Sequence, residues 1–409
     1  MAGKTPWFTS NDLIESVKRK ISFPISQVTF TEDDILSFAN EEMAISQVPS
    51  VMLYHEEYYV ASLEVALATN QSRYAIPDRA IGLKLRDLFF KDANGNLSEM
   101  SRVSAEDKSY WSGTSGSTTS VHKYYLEGNF VVLTPDITTN TGSLVFYFYL
   151  RPNQLVLNER ACISTSFQKT VTIASVIADD VLTIGDETFT AGTDFVIGGT
   201  DTITATNLTT AINTNGVATA TSSIGVITLV YDDVTLEITG SDALTMAVQS
   251  TLTVNFDQVP ATYTDIRTNV VEDLFLAGVL IDFLQTKPGH QIIDYDILIP
   301  TGGISGTSIT FADGVVPDTF LVGDYVCLSN ECIIPQLPPD LHNGLAERTC
   351  ARVQAAQGDQ DGVNASMMKI KEIEGAQGTL LDQRVEGSPQ KISGRHGLLR
   401  YNKRGNGRF

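Results

Sequence analysis

Residues 171–191 read VTIASVIADDVLTIGDETFTA, and residues 226–238 read VITLVYDDVTLEI. Threonine, isoleucine and valine dominate both stretches, and their branched side chains suit a pleated, half-buried surface better than a helix. Short strands are expected at 171–176, 181–184, 188–191, 226–230 and 235–238. One helix interrupts them at 205–212, where Leu208 and Ile212 stand four residues apart. Between Lys169 and Arg267 there is no lysine or arginine, while twelve aspartates and glutamates occur. That shift in composition marks residues 167–257 as an inserted β-rich module.

Strand signals continue on both sides of the insert. Upstream, residues 61–166 read as the first part of a β-rich core. Leu83, Leu85, Leu88 and Phe90 lead into the turn pair Asn94-Gly95 and on to Leu97–Met100. Tyr124–Leu126 and Phe130–Leu133 flank a second turn, and LVFYFYL at 144–150 is apolar enough to be buried on both faces. The run 112–120, all Ser, Gly and Thr, reads as a loop. Downstream, residues 258–335 form the second core part. They hold strands at 292–299, 308–311 and 325–328, and an apolar run, Val270–Leu284, in which helical and strand periods both fit.

Helices are expected at the two ends of this β-rich middle. In residues 1–60, Ser10 stands where a cap would precede Leu13, Ile14, Val17 and Ile21, and Thr31 with Asp34 forms a capping box before Ile35. In residues 336–383, Leu341, Leu345, Ala346, Cys350 and Val353 line one helix. Gly358-Asp359 turns the chain, and Val363, Met367, Ile370 and Ile373 line a second helix. The fold class is therefore α+β, with N-terminal helices and a C-terminal helical hairpin around the β-rich middle and its insert. Residues 384–409 complete it as an extended arm. Seven basic residues against one acidic residue give the arm +6; the chain as a whole carries −20, so the remainder carries −26. Five glycines and Pro389 keep such a segment from building a core of its own.

Composition excludes several classes. A chain of 409 residues, 42% hydrophobic and 19% charged, is globular rather than disordered. No apolar run reaches the roughly 18–20 residues that span a bilayer, and MAGKTPWFTSNDL lacks a secretory pattern, so a cytosolic, non-membrane protein is expected. Net negative charge argues against a nucleic-acid surface over most of the chain. Cys162, Cys327, Cys332 and Cys350 are too scattered for a disulfide framework or a zinc site and read as buried thiols. His55-Glu56-Glu57 lacks the second histidine of a zinc helix, and Gly302–Thr307 lacks the lysine of a phosphate loop. Asp179-Asp180 and Asp232-Asp233 read as turn corners rather than calcium ligands. No catalytic residue, cofactor or metal is expected, and the chain reads as a non-enzyme.

Three stretches resemble the head–tail connector, or adaptor, proteins of tailed phages. They are Thr31–Tyr59 with Tyr74–Pro77 and Leu85–Asp87; Gly323–Val326 through Ile334–Pro338 and Leu341–Asp359; and Arg384–Ile392 with Gly397–Arg400. Ala191–Phe195 and Thr206–Asn213 are similar to a small β module that recurs in phage virion and tail proteins. The chain is longer than a minimal adaptor of this family, and the large insert is the chief departure from it. The resemblance implies a homo-oligomeric neck ring, usually of twelve copies, in the virion at the head–tail interface. Such a ring is made in the host cytoplasm, binds the portal protein and neck or tail proteins, and encloses a channel for DNA. The arm would reach a neighbour or the portal through Arg384, Lys391, Arg395, Arg400, Lys403, Arg404 and Arg408, with Leu398, Leu399, Tyr401 and Phe409 as apolar anchors. On charge alone, that arm suits either an acidic subunit or DNA. A tail, decoration or receptor-binding role is the second reading, and a hydrolase with an accessory β module the third.

Overall fold

The computed structural model describes residues 8–21, 30–55, 57–107, 123–134, 142–241, 245–265, 269–286 and 292–380. Together these form a mixed α+β molecule rich in strands. The loop expected at 112–120 lies outside the described residues.

Helix α1 (Ser10–Ile21) is capped by Thr9 rather than by Ser10. The Thr9 hydroxyl accepts from the Asp12 N–H at 3.3 Å, and the Asp12 carboxylate accepts from the Thr9 N–H at 2.9 Å. Ser10 is buried instead and donates to Asn158. Helix α2 (Glu32–Glu42) opens on the expected Thr31–Asp34 capping box and runs without a break through a π-helical turn, Met43–Gln47, into α3 (Val48–Tyr54).

Two four-stranded sheets follow. In one, Ser143–Leu150 lies between Val60–Ala66 and Ala80–Lys91, with Leu97–Glu99 on the outside. Its central strand is largely buried, as its aromatic sequence anticipates. In the other, Lys123–Glu127 and Phe130–Thr134 form a hairpin closed by Gly128-Asn129, with Gly128 at φ +58°. Phe146, Phe148 and Leu88 of the first sheet pack against Tyr74, Val131 and Leu133 of the second.

A ten-stranded sheet organises the rest. Its axis is the twelve-residue strand Cys162–Ile173, which pairs with Val226–Tyr231 on one side and with Thr251–Phe256 and Met246–Val248 on the other. Thr251–Phe256 in turn pairs with Ser308–Ala312. The sheet thus runs through both the 167–257 segment and its flanks. In the core that covers it, Phe283 lies 4.9 Å from Phe320 and 5.6 Å from Phe311 between ring centroids, with Phe167 6.2 Å from Phe320. Helix α4 (Asp201–Asn215) is longer than the 205–212 expected and ends at Gly216 in the left-handed region. The strand expected at 235–238 falls instead at Ile238–Gly240, because Asp233 builds a turn: its carboxylate accepts from the Thr235 N–H at 3.0 Å. The ambiguous run 270–284 is not helical. It holds two strands, Val271–Asp273 and Leu280–Leu284.

Helix α5 (Pro339–Gln357) and helix α6 (Gln360–Leu380) form the expected antiparallel pair. Gly358, at φ +78°, adopts the left-handed conformation that ends α5. Leu13, Val17, Ile35 and Ala39 of the N-terminal helices share one core with Leu341, Leu345 and Val353 of α5. The two ends of the chain therefore fold together.

Candidate functional site

The arm residues expected to make contacts, Arg384, Lys391, Arg395, Leu398, Leu399, Arg400, Tyr401, Lys403, Arg404, Arg408 and Phe409, lie outside the described residues. The helix that leads to them does not. On α6, Ser366 and Ile370 are buried and Val363 and Ile373 half-buried, so a single face lies on α5. Met367, expected on that face, is 50% exposed, and Met368 is 74% exposed. The apolar stripe is thus narrower than the spacing implied, since among the described residues α5 is the helix on which α6 packs.

Ion pairs hold this hairpin to the N-terminal helices. The Glu42 carboxylate, nearly buried, accepts from Arg352 Nε at 2.6 Å and from Arg348 Nη1 at 3.5 Å, and Arg348 also binds Glu374 of α6. Lys20 of α1 lies 2.6 Å from Glu347 of α5.

A second polar cluster lies between the β sheets. Arg79 Nη2 donates to Asp282 Oδ2 at 3.0 Å and to Asn153 Oδ1 at 2.6 Å, and its Nη1 reaches Asp296 and Ser329 at 3.3 and 3.2 Å. The fully buried Asp282 also accepts from Asn153 Nδ2 and from the Asp296 and Asn330 N–H groups. Asn153 N–H donates to Gln336 Oε1 at 2.6 Å. Asp282 is saturated with donors and closed to solvent. Such a group fixes the mutual position of segments 79, 153, 282–296 and 329–336 and leaves no lone pair for a substrate. The sequence signal for it was an aspartate inside the apolar run Leu280–Leu284, which periodicity passes over.

Groups with chemical potential are held inert in the same way. Burial pushes the thiols of Cys162, Cys327, Cys332 and Cys350 up, so they stay protonated and are weak nucleophiles at neutral pH. His342 is buried, its pKa lowered by desolvation, with Nε2 3.1 Å from the Leu337 carbonyl. Gly302–Thr307 forms a tight hairpin, Ile304-Ser305 pairing with Ser308-Ile309 around Gly306. Asp180 and Asp233 bind backbone N–H groups of their own turns. Among the described residues, no group of three or more His, Cys, Asp or Glu is placed to hold a metal ion, and no helix is long and apolar enough to cross a membrane.

An open groove of about 690 Å³ runs between α2 and the strand segment 151–156, lined by Asp33, Asn40, Met43, Arg151, Arg160 and Glu331 among others. Some of its charges are already paired: Arg160 binds Glu272 at 2.7 Å and Glu331 at 2.6 Å. Asn40 is likewise engaged, exchanging two hydrogen bonds with the backbone of Leu155.

No protein-family model matches this chain, and a search of curated proteins returns no match. The functional reading therefore rests on the residues. Their main polar clusters join segments distant in sequence: Glu42 of α2 binds Arg348 and Arg352 of α5, and Asp282 gathers residues 79, 153, 296 and 330.

Proposed function

We propose that this chain is a non-enzymatic structural protein of a tailed-phage virion. It assembles with copies of itself into a ring, twelve-fold in the family it resembles, that joins the portal of the head to the tail and leaves a channel for DNA. The observation that carries this reading is the division of charge. A trunk of net charge −26 ends in a segment of net charge +6 that holds the apolar residues Leu398, Leu399, Tyr401 and Phe409. A ring contact is heterologous, so the two surfaces that meet must differ. Opposite charge on the two ends of one chain supplies that difference and disfavours like-to-like pairing.

The packing adds support. Two of the three stretches that resemble connector proteins, 31–59 and 323–359, are almost three hundred positions apart yet share one core; Tyr59 donates to the Gln336 carbonyl at 2.9 Å. They behave as one unit rather than as scattered likenesses. The Arg79–Asp282 cluster stiffens the sheets behind them, as a subunit that transmits load between head and tail requires.

The test compares the full chain with a variant ending at residue 383, by negative-stain imaging and sedimentation, alone and with a purified portal. Closed or portal-bound rings from the full chain, lost in a folded truncated variant, are the expected result. A full chain that forms no ring in either condition would overturn the reading.

A further inference from the structure

The hairpin Thr219–Ser223/Val226–Tyr231 is closed by two residues, Ile224 and Gly225, with Ser223 paired to Val226. Both have positive φ, +48° and +78°. That combination is filled without strain by Asn-Gly or Gly-Gly, and a β-branched residue in it is an outlier. Ile224 gains nothing inside the subunit in return, because its side chain is 87% exposed. Its neighbour explains why the turn is fixed there. Gly225 is pressed against the start of α4, where a Cβ would meet the Ile173 carbonyl oxygen at 3.3 Å and the Asp201 Cβ at 3.5 Å.

Three more aliphatic side chains are exposed around the same end of α4: Ile203 at 50%, Val196 at 71% and Ile177 at 65%. The Val196 carbonyl accepts from Asn207 of α4 at 2.8 Å, and the Ser175 N–H, two residues before Ile177, donates to Asp201 at 2.8 Å. Single exposed aliphatics are ordinary on any surface. Four around one helix end, one of them held in a strained turn, form an apolar tip that the subunit does not use for its own packing.

Charge decides what covers it. Asp179, Asp194 and Asp201 are exposed around the tip, and residues 170–266 contain no lysine or arginine. Tip-to-tip contact between copies would bring these carboxylates together, so the occupant must carry cations and apolar side chains at once. Residues 384–409 have that composition, with Leu398, Leu399 and Tyr401 set among Arg395, Arg400, Lys403 and Arg404. We infer that the C-terminal arm of one copy docks on the Ile224–Ile203 tip of another, its aliphatic and tyrosyl side chains on the tip and its cations on the surrounding aspartates. Extended, the arm's 26 residues span at most about 94 Å, enough to reach a neighbouring subunit. The inference rests on the self-assembly proposed above and names the surface that receives the arm.

Mixed isotopically light and heavy full-length protein, treated with a carbodiimide that joins carboxylates to amines in contact, tests it. Segment 170–266 has no lysine of its own, so every amine coupled to Asp179, Asp194 or Asp201 comes from elsewhere. The expected result is coupling of Lys391 or Lys403 of one isotopic form to these aspartates of the other. Ile224→Asn should reduce it several-fold, and because Asn suits the turn, the hairpin should stay folded. Arm lysines that couple only to other carboxylates, or coupling indifferent to Ile224→Asn, would overturn the docking site. Rings that form without this coupling would remove the site and leave the ring; a chain that stays monomeric by light scattering both alone and with the portal would remove both.

Discussion

Asp282 sits within the apolar strand Leu280–Leu284, fully buried, with the Arg79 guanidinium as its counter-charge. Removing one partner of a buried ion pair leaves the other uncompensated, which costs about 3–5 kcal/mol. Arg79→Met is therefore expected to lower the unfolding free energy by about that amount in denaturant titration. Adding Asp282→Asn should restore part of the loss, since the amide no longer carries a charge that lacks its partner. His342 supplies a pH prediction. Burial lowers its folded pKa below the usual 6.5, so the unfolded chain binds the extra proton more readily. The histidine's contribution is then fully present above about pH 6.5 and is lost as pH falls through that value toward the lower folded pKa. Glu331 works in the opposite sense, because desolvation raises its pKa and its protonated form favours folding as pH falls. The difference between wild type and His342→Gln isolates the histidine. That difference should grow in favour of wild type as pH rises to about 6.5 and stay flat above it. The role of Asp282 was not readable in the sequence, because its counter-charge Arg79 lies about two hundred positions away. The α1 cap shows the local version of the problem. Ser10 and Thr9 are both good capping residues, and only the Asp12 carboxylate reaching back to the Thr9 N–H settles which one caps.

Local chemistry was decisive where it left one solution. The Thr31–Asp34 box, the Gly358-Asp359 turn between α5 and α6, and the Asn94-Gly95 hairpin were all legible, because each needs only side-chain types at a fixed spacing. The run 270–284 was not. Its leucines and valines satisfy both periods, and it is Tyr325–Leu328 and Ile292–Leu298, pairing with Leu280–Leu284 from either side, that hold it as strand. The helical hairpin also shows what spacing misses: it located the stripe on α6 but not how much of it would be covered. Two substitutions separate the covered from the uncovered part. Leu345→Ala, in a side chain with no exposure, should cost about 2–5 kcal/mol by loss of burial and cavity formation. Met368→Ala, at 74% exposure, should change stability by less than about 0.5 kcal/mol. Thermal unfolding of the two variants beside wild type checks both. A large loss for Met368→Ala would mean that α6 is covered by something the isolated subunit does not show.

For the whole molecule, composition located residues 167–257 as distinct, yet the sheet that contains them extends through both flanks, from Cys162 to Ser308–Ala312. Composition reports surface charge, while strand pairing depends on apolar faces, and Phe167, Phe283, Phe311 and Phe320 join into one core across that boundary. The two properties diverge because charged side chains lie mostly at the surface, where their absence leaves the pairing of the strands beneath unchanged. Under the proposed assembly, a contact between the anionic trunk and the cationic arm should weaken as screening increases. The Debye length falls from about 10 Å at 0.1 M salt to about 3 Å at 1 M. The partly buried pairs within the subunit, such as Arg352–Glu42 and Lys20–Glu347, are screened much less. Raising sodium chloride from about 0.05 to about 0.5 M is therefore expected to dissociate rings into subunits while far-ultraviolet circular dichroism and the unfolding midpoint stay nearly unchanged. Sedimentation velocity across the salt series reads the first quantity and thermal melts the second. If rings survive in high salt, apolar burial rather than charge holds copies together, and the division of charge along the chain would then serve solubility instead of assembly.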